Sequence, residues 1–144
     1  MGKARWSVVL SVLLVVVALA FVGSHARRSA AGHCALDGAR IEPLYRVRVL
    51  DDQDRDQDFC CIRCATLWLA GRRVSPRAIY VTDEASGQEV DARQAYFVRS
   101  TVVTTATTGN RIHAFRTVAD AERHVAAAHG RPLLGADRPF FANE

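Results

Sequence analysis

The chain has 144 residues, with 19 Lys and Arg against 15 Asp and Glu, a net charge of +4, and 49% hydrophobic residues. That length holds one compact domain with an appendage, and the apolar content is that of a folded protein rather than a disordered one. The arginines are scattered among carboxylates, with no basic stripe carrying interleaved aromatics, so no nucleic-acid partner is expected.

Residues 7–22 read SVVLSVLLVVVALAFV, without charge or proline, after Lys3 and Arg5. Such a run serves as a signal sequence or a short transmembrane helix, and an uncleaved anchor over 1–23 is expected. An N-terminal apolar segment with a basic start sends the domain behind it out of the cytoplasm. The expected location is therefore the cytoplasmic (inner) membrane, single-pass, with the domain on the periplasmic side. Residues 24–32 are small and polar and read as a linker.

The domain is expected over 33–134. Residues 44–50 alternate apolar and basic, which predicts a half-buried strand. The acidic run 51–58 predicts a hairpin loop, and Phe59-Cys60 the end of a returning strand. Residues 61–72 predict a helix with Ile62, Ala65 and Leu69 on one side. Residues 78–81 predict the next strand and 83–87 a turn.

The same order then repeats. Strands are predicted over 95–98 and 111–115, joined by the Thr-rich stretch 101–110. A helix is predicted over 117–129, capped by Thr117 and stopped by Gly130 and Pro132, with a last strand over 131–134. The fold class is α+β: two successive ββαβ units, an internal duplication, with helices on small antiparallel sheets. Residues 135–144 read as an irregular tail.

All four cysteines fall in two short segments, Cys34-Ala-Leu-Asp37-Gly38 and Phe59-Cys60-Cys61-Ile62-Arg63-Cys64. Thiolates are the soft donors that suit copper(I), zinc and mercury(II). Cys34-x-x-Asp37-Gly38 has the form of a turn that aims residues i and i+3 at one centre. Cys61 and Cys64 are three apart at a helix start, where they share a face and the helix dipole favours the thiolate. The favoured metal ligands are Cys34, Cys61 and Cys64, with Cys60 and Asp37 next; Cys60 takes the place of Cys61 if the strand geometry points it inward. Pairing into disulfides is the competing use of cysteines outside the cytoplasm. His33, beside Cys34, and His113, on a predicted strand, are further donors that could face the site.

The ordered pieces Cys34…Gly38, Phe59-Cys60, Ile79-Tyr80-Val81-Thr82-Asp83, Ser86-Gly87, Asp91-Ala92, Ala95-Tyr96-Phe97-Val98, Ala114-Phe115 and Asp120-Ala121 resemble the NosL family, accessory proteins of nitrous oxide reductase. The resemblance covers about residues 34 to 134. It implies an exported, membrane-attached protein that binds copper(I) and helps deliver it; a metalloenzyme or membrane complex is a candidate partner. It also implies two related ββαβ units. The family's early CxxC-Gly-Met is here Cys34-Ala-Leu-Asp37-Gly38-Ala39, and its later Met-Gly is Thr108-Gly109. The chain's only methionine is Met1, so copper(I) would be held by thiolates, with a histidine as a further donor.

Cys34-Ala-Leu-Asp37 and Phe59-Cys60-Cys61 also resemble the active-site segments of the organomercurial lyase MerB. That likeness implies Cys34 and Cys60 as mercury-binding thiolates and Asp37 as the acid that protonates the leaving carbon. A third reading is a structural zinc in an interaction module. The non-enzymatic readings are preferred.

Overall fold

The computed structural model describes residues 32–53, 55–72 and 75–141. All lie in the compact unit Gly32–Glu144. The expected anchor and most of the linker lie outside the described residues. Among the described residues no helix is long and apolar enough to cross a membrane.

Seven strands and two helices follow one another as β1 Val47–Leu50, β2 Asp56–Phe59, α1 Ile62–Ala70, β3 Ala78–Thr82, β4 Glu89–Asp91, β5 Tyr96–Arg99, β6 Ile112–Phe115, α2 Val118–Ala127 and β7 Arg131–Leu133. They form a four-stranded sheet of order β2-β1-β3-β4 and a three-stranded sheet of order β6-β5-β7. All pairs are antiparallel. In each sheet the first strand of the unit is central. It is flanked by its hairpin partner and by the strand that returns after the helix. The duplicated ββαβ order expected from sequence is thus realised as repeated topology, with β4 added to the first unit.

Alternation sets the faces. Val47 and Val49 are 1% and 0% exposed, and the residues between and after them turn outward. β1 starts three residues later than its apolar alternation suggests. Pro43 instead opens a 3-10 turn, Pro43–Tyr45, with the Tyr45 amide donating to Glu42 O at 3.0 Å. The acidic run is not all loop, because Asp56 and Asp58 lie in β2. The outer face of β1 makes this acceptable: Arg48 stands opposite Asp58 and meets Asp56 Oδ1 at 3.2 Å and Glu89 Oε2 at 2.8 Å. Cross-strand charge pairing of this kind holds polar residues on a sheet face. β4 was not expected; the turn at Gly87, whose φ is +74°, folds it back onto β3.

Helix α1 packs on β1 and β2 of its own unit and on β6 of the second. It buries Ile62, Cys64 and Ala65. Trp68 meets Phe59 with ring centroids 5.2 Å apart. The principal core joins Val47, Val49, Phe59, Ile79, Val81, Phe97 and Leu133 with Cys34, Cys60, Cys61 and Cys64, so the sulfurs are part of the hydrophobic interior. Phe140 and Phe141 pack back against that core, which ties down the described part of the tail.

Candidate metal centre

The first segment is a tight knuckle ahead of the first sheet. The Cys34 amide donates to Ala39 O, and the Gly38 amide to Cys34 O, both at 2.8 Å. Gly38 has φ +72°, a left-handed conformation that side chains resist. The Ala35 amide donates to Asp58 O at 2.8 Å, pinning the knuckle to β2. Asp37 Oδ1 accepts from the Ala39 amide at 3.0 Å. That bond fixes the carboxylate and leaves Oδ2 turned toward the sulfurs.

The second segment is the β2–α1 junction. Cys60 comes directly after β2, and Cys64 is the third residue of α1. Cys60 Sγ lies 3.5 Å from Cys64 Sγ. The Cys64 thiol donates to Asp37 Oδ2 at 3.4 Å, and the Cys60 thiol reaches the same oxygen at 3.9 Å. The potential ligand atoms of Cys34, Asp37, Cys60 and Cys64 all lie within 4.8 Å of one another. All four cysteines are free thiols.

Cys61 stands outside that group. It is the N-cap of α1, with φ −168° and ψ 167°, so its backbone is extended and not helical. Successive side chains on extended backbone point to opposite sides. Cys60 therefore faces the knuckle while Cys61 turns to Thr108, whose Oγ1 is 3.4 Å from its sulfur. The expected Cys61–Cys64 pair needs Cys61 inside the helix, and the helix begins one residue later, at Ile62. Cys60 and Cys64 converge instead, though Cys61 Sγ remains 3.9 Å from Cys60 Sγ.

Sequence reasoning gave Thr105 and Thr108 no role. Thr105 Oγ1 donates to Cys60 O at 3.5 Å, and Thr108 faces Cys61. The available signal was positional, since Thr108-Gly109 occupies the Met-Gly slot of the NosL-like pattern. Asn110, 2% exposed, staples this loop by donating to Thr104 Oγ1 at 2.7 Å and Ile112 O at 2.9 Å.

Burial dominates the electrostatics. Cys34, Cys60 and Cys64 are 3%, 2% and 1% exposed, whereas Asp37 is exposed. Loss of solvation pushes the Cys60 and Cys64 thiols up, and the neighbouring sulfurs push Cys64 the same way. Both thiols therefore favour the protonated form, and an ion bound here would have to displace those protons. The Asp37 carboxyl is held below the usual carboxylate range, first by the Cys34 thiol and then by the Ala39 amide.

The two histidines considered from sequence are not in this group. His33 is exposed and bridges Arg40 through its backbone. His113, 1% exposed, lies 2.8 Å from Glu84 Oε2 through Nδ1 and 3.0 Å from Ser100 Oγ through Nε2. A cavity of about 680 Å³ lies between α2 and the second sheet, lined by Tyr96, Phe97, Val118, Val125, Leu133 and Leu134 among others, with no cysteine or histidine.

Three thiols and a carboxylate converging on one point make a donor set for a soft ion in digonal or trigonal sulfur coordination, or for zinc in tetrahedral coordination. No family model matches the chain, and no curated protein matches it. Among solved structures, the crystal structure of the copper chaperone NosL from Shewanella denitrificans matches with a TM-score of 0.61 and 21% sequence identity, over 72% of this chain and 86% of that chain. No comparison supports the likeness to the organomercurial lyase. The chain is a small α+β domain with a NosL-like fold and a cysteine cluster able to hold a metal ion.

Proposed function

We propose that the chain binds copper(I) through thiolates of Cys34, Cys60 and Cys64 and passes it to a recipient metalloenzyme or membrane complex. One observation carries this reading: three nearly inaccessible cysteine sulfurs meet at one point of a fold shared with a copper chaperone. Thiolates match a soft monovalent ion, and copper(I) accepts the low coordination numbers that a cramped buried site permits. Burial also shields the ion from water and oxidants. In the same reading the segment 7–22 anchors the domain on the extracytoplasmic side of the cytoplasmic membrane, near such a recipient.

The test is anaerobic titration of the reduced full chain with copper(I), read by mass spectrometry and by X-ray absorption. One copper per chain with a sulfur-only or sulfur-dominated shell is expected, with release to a stronger chelator. Zinc that co-purifies and whose removal unfolds the domain would replace this reading with the structural one. A second reading is favoured by the contact between Asp37 Oδ2 and the Cys60 and Cys64 thiols, which sets beside the sulfurs a carboxylate able to take a thiol proton and pass it on. It is carbon–mercury cleavage by Cys34, Cys60 and Asp37. Release of benzene from phenylmercury, lost in Asp37→Ala while mercury still binds, would establish it.

A further inference from the structure

Asp37 differs from its three partners in where it sits. The sulfurs of Cys34, Cys60 and Cys64 belong to residues no more than 3% exposed, and Asp37 is exposed. Asp37 is the exposed residue of the group. Its two oxygens are also unequal. Oδ1 is tied to the Ala39 amide at 3.0 Å, and Oδ2 reaches Cys64 Sγ at 3.4 Å and Cys60 Sγ at 3.9 Å. An ion resting on Oδ2 needs only a small inward shift to reach two sulfurs.

We propose that Asp37 is the exchange ligand of the site, the group that first takes copper(I) from a solution carrier and last holds it on the way out. The proposal rests on the copper reading above and adds a path to it. A carboxylate is a hard, weak ligand for a soft ion, so it can accept the ion without retaining it. On loading, the carrier's donor leaves as the Oδ2–copper bond forms. Each copper–sulfur bond then formed releases that thiol's proton to water, and the Oδ2–copper bond breaks as the thiolates take over. Copper remains copper(I) throughout. Unloading is the reverse, with water returning the protons to sulfur.

Two variants separate this role from a turn role. Asp37→Asn keeps an oxygen that can accept from the Ala39 amide but removes the charge. Asp37→Glu keeps the carboxylate on a longer arm and disturbs the turn. The full chain, loaded anaerobically with one equivalent of copper(I), is mixed in a stopped-flow instrument with a chromophoric copper(I) chelator. Uptake from a weak carrier is followed the same way, and affinity is measured by equilibrium competition.

The expected result is that Asp37→Asn slows uptake and release alike by about tenfold, the scale of one lost charge-assisted contact in the transfer barrier. Its affinity stays that of the unaltered chain, and Asp37→Glu recovers most of the rate. Unchanged rates in Asp37→Asn would overturn the proposal and leave Asp37 a turn residue. A loss of affinity as deep as in Cys64→Ser, with faster release, would overturn it too, by making Asp37 a permanent ligand. A chain that takes up no copper(I) in the equilibrium titration removes the copper reading itself, before any rate is measured.

Discussion

His113 Nε2 lies 3.2 Å from Val102 O as well as 3.0 Å from Ser100 Oγ. A carbonyl oxygen only accepts, so Nε2 carries a hydrogen. Ser100 Oγ also accepts from the Val102 amide at 3.2 Å, which leaves the hydroxyl hydrogen for His124 Nε2 at 3.1 Å. That last bond needs a neutral His124. Burial, and then the neighbouring His113 at 4.1 Å between ring centroids, push the His124 pKa below its ordinary 6.5. The unfolded chain therefore binds the proton more readily, and stability depends on pH in a fixed direction. The contribution of His124 is complete above about 6.5 and is lost as pH falls from there through the lowered folded value. Denaturant midpoints measured across that window should decline toward acid, and His124→Gln should flatten the decline. At the sulfur site, Cys60→Ser should weaken copper(I) more than Cys61→Ser does. Loss of an outer supporting group costs about 10–100-fold in metal affinity, and loss of a ligand sulfur costs more. Chelator competition on the two variants decides this; equal losses would put Cys61 in the ligand set.

At the scale of elements, the two helices show how local chemistry fixes ends. Thr117 Oγ1 accepts from the Asp120 amide at 3.2 Å and caps α2, as its sequence signature suggests. Thr117→Ala should cost about 1 kcal/mol in urea unfolding. Helix α2 ends at Ala127, the chain reverses at His129 with φ +47°, and Gly130 follows in close packing. A Cβ on Gly130 would come 2.8 Å from Val98 Cγ1 and 3.3 Å from both Arg99 O and Val125 Cα. Gly130→Ala should therefore destabilise by about 1–3 kcal/mol through overpacking, measurable in the same unfolding experiment. In α1 the N-cap is Cys61, which makes no side-chain capping bond. Apolar spacing located the helix, but it did not reveal that Cys61 was still extended. One residue of uncertainty at a helix start decides which way a side chain points.

The described residues form two sheets built alike and a core that runs through both, with the cysteines inside it. A copper(I) ion that joins Cys34 on the knuckle to Cys60 and Cys64 at the β2–α1 junction ties together segments far apart in the chain. It should stabilise the folded state by about 4 kcal/mol at free copper about a thousandfold above Kd, through binding linkage alone. Thermal unfolding with and without copper(I), under reducing anaerobic conditions, checks this; an unchanged Tm would mean that the ion does not favour the folded state over the unfolded one. The order of strands and helices was legible because alternation, Gly and Pro punctuation and the Thr117 cap are local signals. β4 was not, since a three-residue strand has no periodicity of its own and exists by pairing with β3. Composition and spacing alone determined the α+β class, the duplicated order, and the two segments that carry the sulfur. Only the tertiary structure decided that Cys60 rather than Cys61 meets Cys34 and Cys64, that Asp37 sits at the solvent side of them, and that His113 serves another network. The reason is physical: spacing limits which donors can be neighbours, but side-chain direction and burial depend on how distant segments pack.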